Sequence, residues 1–165
     1  MRSLGLDVGD KRTGVAVSDP MGILATPLTV LDAKDEDKVI DEIIKLVEQY
    51  EAGRIVIGLP RQMDGDIGRQ AEKVTAFTEK LRNVIASTAK ESHFVGVDIQ
   101  LWDERLSTKA AERLMMEAGG KGNKSRSRIK SKAKVSRSSG KNSVDAVAAA
   151  YILQGFLDSL EETSF

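Results

Sequence analysis

The chain opens with two short apolar runs, "SLGLDVG" and "TGVAVS", parted by the turn-like "DKR". Runs this short, rich in Leu and Val and separated by a charged turn, predict two antiparallel strands in a hairpin. "LATPLTVL" predicts a third strand, which Pro27 confines to an edge or an end because proline has no N–H to give a ladder. From Asp37 the period changes: Val39, Ile40, Ile43, Ile44, Val47 and Tyr50 recur at helical spacing and predict an amphipathic helix that stops near Gly53. "RIVIGLP" is apolar throughout, the pattern of a fully buried strand, and Pro60 closes it.

After the turn signal in "RQMDGDIGRQ", the spacing of Ala71, Val74, Phe77, Thr78, Leu81 and Ile85 predicts a second helix. "VGVDIQLWDE" predicts another strand, with Val97, Ile99, Leu101 and Asp103 on one face and Asp98, Gln100, Trp102 and Glu104 on the other. Ser107 is placed to cap a helix through Ala110, Ala111, Leu114 and Met115 that ends at Gly119 and Gly120. A last helix is expected from near Ser143, with Val144, Val147, Ala148, Tyr151, Ile152 and Gly155 along one side. The order is strands, then helices alternating with strands, which predicts an α/β sheet with helices on its faces.

The length of 165 residues suits a single domain, 1–165, able to bury a sizeable core. Charge changes this picture at one place. Residues 119–142 hold nine of the 25 basic residues and none of the 25 acidic ones, so a neutral total conceals a basic segment on an acidic body. The segment is too polar and Ser-rich to offer a packing face, and a mobile loop is expected there. There is no cysteine and one histidine, which excludes disulfides, thiolate metal sites and a His-rich zinc site; a metal would have to be held by oxygen. No apolar run approaches the ~20 residues of a membrane span, and "MRSLGLDVG" lacks a cleavable apolar signal region, so a cytoplasmic location is expected.

Three carboxylates stand where the predicted pattern does not ask for them. Asp7 interrupts a strand and shares its parity with Gly5 and Gly9, whose bare backbone leaves room for a bulky neighbour. A turn aspartate, or an ion pair with Lys11 or Arg12, explains it as well. Glu104 ends a strand of an α/β sheet, where ligand sites gather; pairing with Arg105, or support of the next helix through its dipole, is the structural alternative. Asp145, expected in the first turn of the last helix, would gain ~0.3 to 1 kcal/mol from the macrodipole with no chemical duty. Together the three make a set of oxygen ligands of the kind Mg²⁺ or Mn²⁺ prefers. Trp102 reads as sheet packing, Met115 and Met116 as helix packing, and His93 as a loop residue.

Four separated motifs, "GLDVGDKRTGVAVSDP", "VIGLPRQMDG", "LWDERLST" and "KNSVDAVAAAYILQGFLD", resemble in order and spacing the YqgF/RuvX family, described as Holliday junction resolvases and linked to pre-16S rRNA nuclease activity. The resemblance spans nearly the whole chain. It implies a ribonuclease H-like fold, a mixed five-stranded sheet flanked by helices, with the family's acids falling on Asp7, Glu104 and Asp145. It departs from the family before Asp145, where similar proteins have a shorter basic loop. The implied activity is metal-dependent hydrolysis of phosphodiester bonds in structured nucleic acid, in processing the 5′ end of pre-16S rRNA or in resolving branched DNA.

Two divalent ions, Mg²⁺ or Mn²⁺, would do the chemistry. Asp7 would bridge them, Glu104 and Asp145 would flank them, and Asp103 is a weaker candidate behind them. Lys11, Arg12, Arg61, Arg105 and Lys141 are candidates for phosphate contacts, against a solvated-surface alternative for each. Two rival readings stay open. One is a phosphate-binding module, since "GLDVGDKRTGVA" also resembles the phosphate loop of the actin and sugar-kinase superfamily; the other is a non-catalytic nucleic-acid-binding protein. A two-fold symmetric substrate would make a homodimer sensible, and a monomer is equally compatible with the sequence.

Overall fold

The computed structural model of the chain describes residues 1–60, 68–88, 96–103 and 139–163, with side chains in the last stretch from Val144 onward. Strands β1 (Arg2–Val8), β2 (Arg12–Ser18), β3 (Ala25–Asp32), β4 (Ala52–Leu59) and β5 (Asp98–Asp103) form one sheet in the order β3-β2-β1-β4-β5. β1 to β3 are antiparallel neighbours, while β4 and β5 run parallel to β1. Helices α1 (Glu36–Tyr50), α2 (Arg69–Thr88) and α3 (Ser139–Glu162) cover the two faces.

The hairpin forms where "DKR" predicts it. The Gly9 N–H donates to the Arg12 carbonyl at 3.0 Å, and a Cβ at Gly9 would sit 2.7 Å from that same oxygen. Pro27 lies on β3, the edge strand, where its missing N–H costs the ladder least. α1 starts one residue earlier than the apolar period indicates because Asp35 caps it, its carboxylate accepting from the Asp37 and Lys38 N–H groups. Asp35→Ala should lower stability by about 1 kcal/mol, the usual worth of such a cap, read as the midpoint of urea unfolding.

Strand parity divides the core in two. Leu4, Leu6, Val15, Ile55 and Ile57 face α1 and α2, meeting Ile40, Ile43, Val74, Phe77 and Leu81. On the other face Ala16 and Val56 meet Ala149, Ile152, Leu153, Phe156 and Leu157 of α3. Val97 and Ile99 pack toward the first cluster and Trp102 toward the second, as alternation requires, and the Trp102 ring meets Phe156 edge-on with centroids 5.7 Å apart.

α3 departs from its predicted form in two ways. It begins at Ser139, so the end of the expected 119–142 loop belongs to the helix. Its buried side is Ala146, Ala149, Ile152, Leu153, Phe156 and Leu157, whereas Val144, on the apolar stripe that the spacing predicts, is 52% exposed. The helix is apolar nearly all round, so periodicity does not single out one face. Close approach to the sheet does, and it selects the alanines: a Cβ at Gly5 would lie 2.7 Å from Leu153 Cβ and 2.8 Å from the Ala149 carbonyl. The helix expected after Ser107, together with Met115, Met116 and His93, lies outside the described residues. Among the described residues no helix is long and apolar enough to cross a membrane.

Candidate active site

Asp7 lies near the carboxyl end of β1, on the α3 face by parity with Gly5. Its cross-strand partner on β2 is Gly14. A Cβ at Gly14 would overlap the backbone carbonyl of Asp145, so the absence of a side chain there lets α3 rest directly on β2. A single backbone contact thus brings a residue from the end of the chain beside one from its start. Nothing marked Gly14 in the sequence except that an isolated glycine inside a strand signals a close backbone approach.

The two carboxylates sense each other. Burial, and after it the charge of Asp145, raise the Asp7 carboxyl from its ordinary 3.8 to about 6. Among the described residues no ion pair reaches Asp7. The expected alternative, an ion pair of Asp7 with Arg12, is replaced by one between Arg12 Nε and Asp145 Oδ2 at 3.7 Å. The dipole explanation of Asp145 also fails, because α3 starts at Ser139 and places Asp145 in its second turn, beyond the reach of a first-turn effect.

The tip carrying Asp7 is held from the opposite face. Gln70 donates from its side chain to the Val8 carbonyl at 3.0 Å, and Lys73 pairs with Asp10 at 2.8 Å. Both come from the start of α2 and fix the end of β1 after its pairing with β4 has ended at Leu6. Neither was singled out by sequence, since Gln and Lys at a helix start look like ordinary solvated residues.

Of the candidate residues, Asp7, Asp145 and Arg12 come together, and Lys11 is exposed on the adjoining hairpin turn. Asp103 is corrected: it alternates with Trp102 and shares the parity of Ile99, which packs toward α1 and α2, the face opposite Asp7. Glu104, Arg61 and Arg105, and the Lys141 side chain, lie outside the described residues. Among the described residues, accordingly, no three acidic or histidine side chains meet in one cluster.

A mixed five-stranded sheet with this strand order, flanked by helices, defines a ribonuclease H-like α/β protein. Its fold is shared by the Thermus thermophilus RuvC solved with a Holliday junction substrate, with a TM-score of 0.58 at 14% identity over 99% of this chain and 98% of that one. The yeast mitochondrial Holliday junction resolvase Ydc2 shares it at 0.52 and 13% identity, over 94% and 77%. The chain belongs to the RuvX family, described as Holliday junction resolvase, whose pattern matches residues 1–133. Relatives named "Putative pre-16S rRNA nuclease" include one from Clostridium botulinum, 41% identical over 98% of this chain and all of its own length. Another, from Clostridium acetobutylicum, is 43% identical over 97% of this chain and all of its own.

Proposed function

We propose that this chain is a metal-dependent nuclease that hydrolyses phosphodiester bonds in structured RNA, processing the 5′ end of pre-16S rRNA, with Asp7, Glu104 and Asp145 as the acidic site. The observation that carries the proposal is the meeting of Asp7 and Asp145 on one sheet face, where nothing in the packing of the core requires two acids. The full-length relatives supply the choice of RNA over branched DNA. Glu104, which lies outside the described residues, joins the set on the sequence pattern, which groups it with Trp102.

A half-buried carboxyl pushed up to about 6 beside a second acid is a site short of positive charge, and its donors are oxygens throughout. That suits Mg²⁺ or Mn²⁺. Such ions, when bound, supply an activated water and neutralise charge on the leaving oxygen. The chain's own residues do the rest. Asp7, rigid on a central strand, and Asp145, seated on Gly14, fix the oxygen donors relative to each other. Gln70 and Lys73 hold the strand end against displacement as substrate binds. Lys11 and Arg12 on the hairpin turn offer positive charge to the phosphates flanking the scissile bond, giving affinity without sequence choice.

Millimolar Mg²⁺ or Mn²⁺ should raise the melting temperature of the wild type, by the equivalent of about 2.7 kcal/mol at a hundredfold excess over Kd. It should leave Asp7→Asn and Asp145→Asn unmoved; equal rises in all three would remove the metal from this site. Activity is tested by offering a labelled precursor rRNA fragment and a four-way DNA junction side by side in Mg²⁺. Metal-dependent cleavage of the RNA supports the proposal, and cleavage of the junction alone shifts the substrate to branched DNA. Binding without cleavage, indifferent to Asp7→Asn, returns the non-catalytic reading. Stabilisation by ATP in place of cleavage returns the phosphate-binding one.

A further inference from the structure

The sheet has two unlike ends. Asp7 and the turn between β1 and β2 mark one; at the other, residues 19–24 join β2 to β3 beside the entry to β1, as the pairings Leu4↔Val17 and Ser18↔Ala25 require. This second end is apolar at its tip. Met21, Ile23 and Leu24 are 77%, 52% and 62% exposed, and Met1 stands beside them, its ammonium donating to the Pro20 carbonyl at 2.8 Å. The loop that carries them is tied down. The Asp19 carboxylate accepts from the Ile23 and Leu24 N–H groups at 2.7 and 2.8 Å, and the Asp19 N–H donates to the Leu24 carbonyl at 3.0 Å. From α3, Gln154 accepts from the Ala25 N–H and donates to the Ile23 carbonyl, each at 2.9 Å. The apolar side chains therefore stand in water on a fixed backbone, which is the form of a contact surface awaiting a partner.

The surroundings of this tip are acidic. α3 ends here with Asp158, Glu161 and Glu162 exposed, and α1 ends at the same end of the sheet, where Ala52 pairs with Arg2, presenting Glu48 and Glu51. Neither helix has a basic residue in its last turn, so these acids add to the negative end of each macrodipole where a cation would offset it. Glu51 also holds a left-handed φ of 51°, which glycine adopts at far less cost. The nearby cations are engaged within the fold: Arg2 lies over the Tyr50 ring, and Arg54 pairs with Asp98 at 3.4 Å.

We propose that this end of the molecule is a docking surface for a cationic amphipathic segment of another protein, whose apolar side chains cover Met21, Ile23 and Leu24 while its Lys or Arg residues meet the surrounding acids. Charge selects the occupant. A nucleic-acid backbone or an anionic lipid surface would meet like charge, and a second copy docked through the same patch would set its acids against these. The unbranched Met21 side chain adapts its shape to an apolar neighbour. Because the surface lies at the end of the sheet away from Asp7, a partner held there leaves the proposed acidic site open. The proposal stands apart from the nuclease reading.

The test uses the full-length protein and a fluorescein-labelled amphipathic peptide of Leu and Lys, about 18 residues or five helical turns long, read by anisotropy. The wild type should bind it at least about tenfold more tightly than a peptide of the same pattern with Glu in place of Lys, or than one with Leu and Lys scrambled. The combined Met21→Ser, Ile23→Ser and Leu24→Ser variant should weaken binding at least about tenfold. Its circular dichroism and cooperative melting should stay intact, since these side chains lie outside the core. Glu161→Gln with Glu162→Gln should weaken binding about threefold at low salt and leave it unchanged at about 0.5 M.

No binding by the wild type, equal binding of the Glu peptide, or affinity unmoved by the triple serine variant would overturn the proposal. So would a dimer, seen by sedimentation, that the triple variant abolishes, because the surface would then belong to a second copy. Binding of phosphatidylserine vesicles or of a stem-loop RNA that the triple variant abolishes would overturn it likewise, in favour of those anionic partners.

Discussion

Replacing Asp7 by Asn should make the metal-free protein more stable at pH 8, the reverse of what most substitutions do. Asp7 holds its proton more tightly in the fold, with a pKa of about 6, than in the unfolded chain, where 3.8 is ordinary. Between those values the folded state carries the extra proton, so the stability that Asp7 leaves intact below pH 4 is lost as pH rises through 6 and then stays lost. At about 1.4 kcal/mol per pH unit, the loss reaches about 3 kcal/mol, an upper figure because the amide must also find hydrogen-bond partners. In a chain of this size that corresponds to about 6 to 12 °C in melting temperature.

Thermal unfolding in EDTA from pH 4 to pH 8 checks it. Wild type and Asp7→Asn should converge near pH 4 and separate by pH 7. Parallel curves would mean that the Asp7 carboxyl is not perturbed. Saturating Mn²⁺ should reverse the order, because only the wild type gains from the ion. Cleavage by Asp7→Asn should fall by at least about a hundredfold, the scale of losing one positioned electrostatic group at a reacting centre. Such an exchange of stability for a charged, expensive group is what a functional site costs a fold.

Gly14→Ala should be among the most damaging single-methyl additions in the molecule. The added Cβ would overlap the Asp145 carbonyl, which is backbone and has no rotamer to escape into. α3 would have to lift from β2, opening the contacts of Ala146 and Ala149 with the sheet face and moving Asp145 away from Asp7. Overpacking of this kind costs about 1 to 3 kcal/mol, a fall of about 2 to 12 °C in melting temperature. The folded fraction should also lose metal-dependent cleavage and metal-induced stabilisation together, since both depend on where Asp145 sits. A variant with wild-type melting and wild-type response to Mn²⁺ would show that α3 does not rest on β2 at this point.

Much of the architecture is visible in single segments. α1 and α2 each carry a helical period, β1, β2 and β4 are short Leu-, Ile- and Val-rich runs bounded by turn signals, and Pro27 confines β3 to an edge or an end before any pairing is known. α3 was harder for a physical reason. Its apolar residues cover most of its circumference, so the pattern fits several faces, and the stripe beginning at Val144 shares only Ile152 with the side that packs. Ala146 and Ala149 pack here beside Leu153 because Gly5 and Gly14 bring the helix close, and neither the helix nor the strands reveal that alone. The same displacement explains Asp145: its reading as a first-turn acid follows from a helix start at Ser143, and Ser139 takes that reading away.

The residue types of the site were likewise open to view. Cysteine and histidine usage leaves oxygen as the ligand, and an aspartate between glycines in a strand already asks for a partner. Sequence by itself therefore determined which elements form, how they alternate and what chemistry the acids could support, because local periodicity and side-chain chemistry are properties of short stretches. Tertiary structure alone decided that Asp145 meets Asp7, that Arg12 answers to Asp145, and that Asp103 belongs to the other face. Those facts depend on how closely a helix can approach a sheet and on which side of it a strand residue falls, and such distances exist only once the chain has closed on itself.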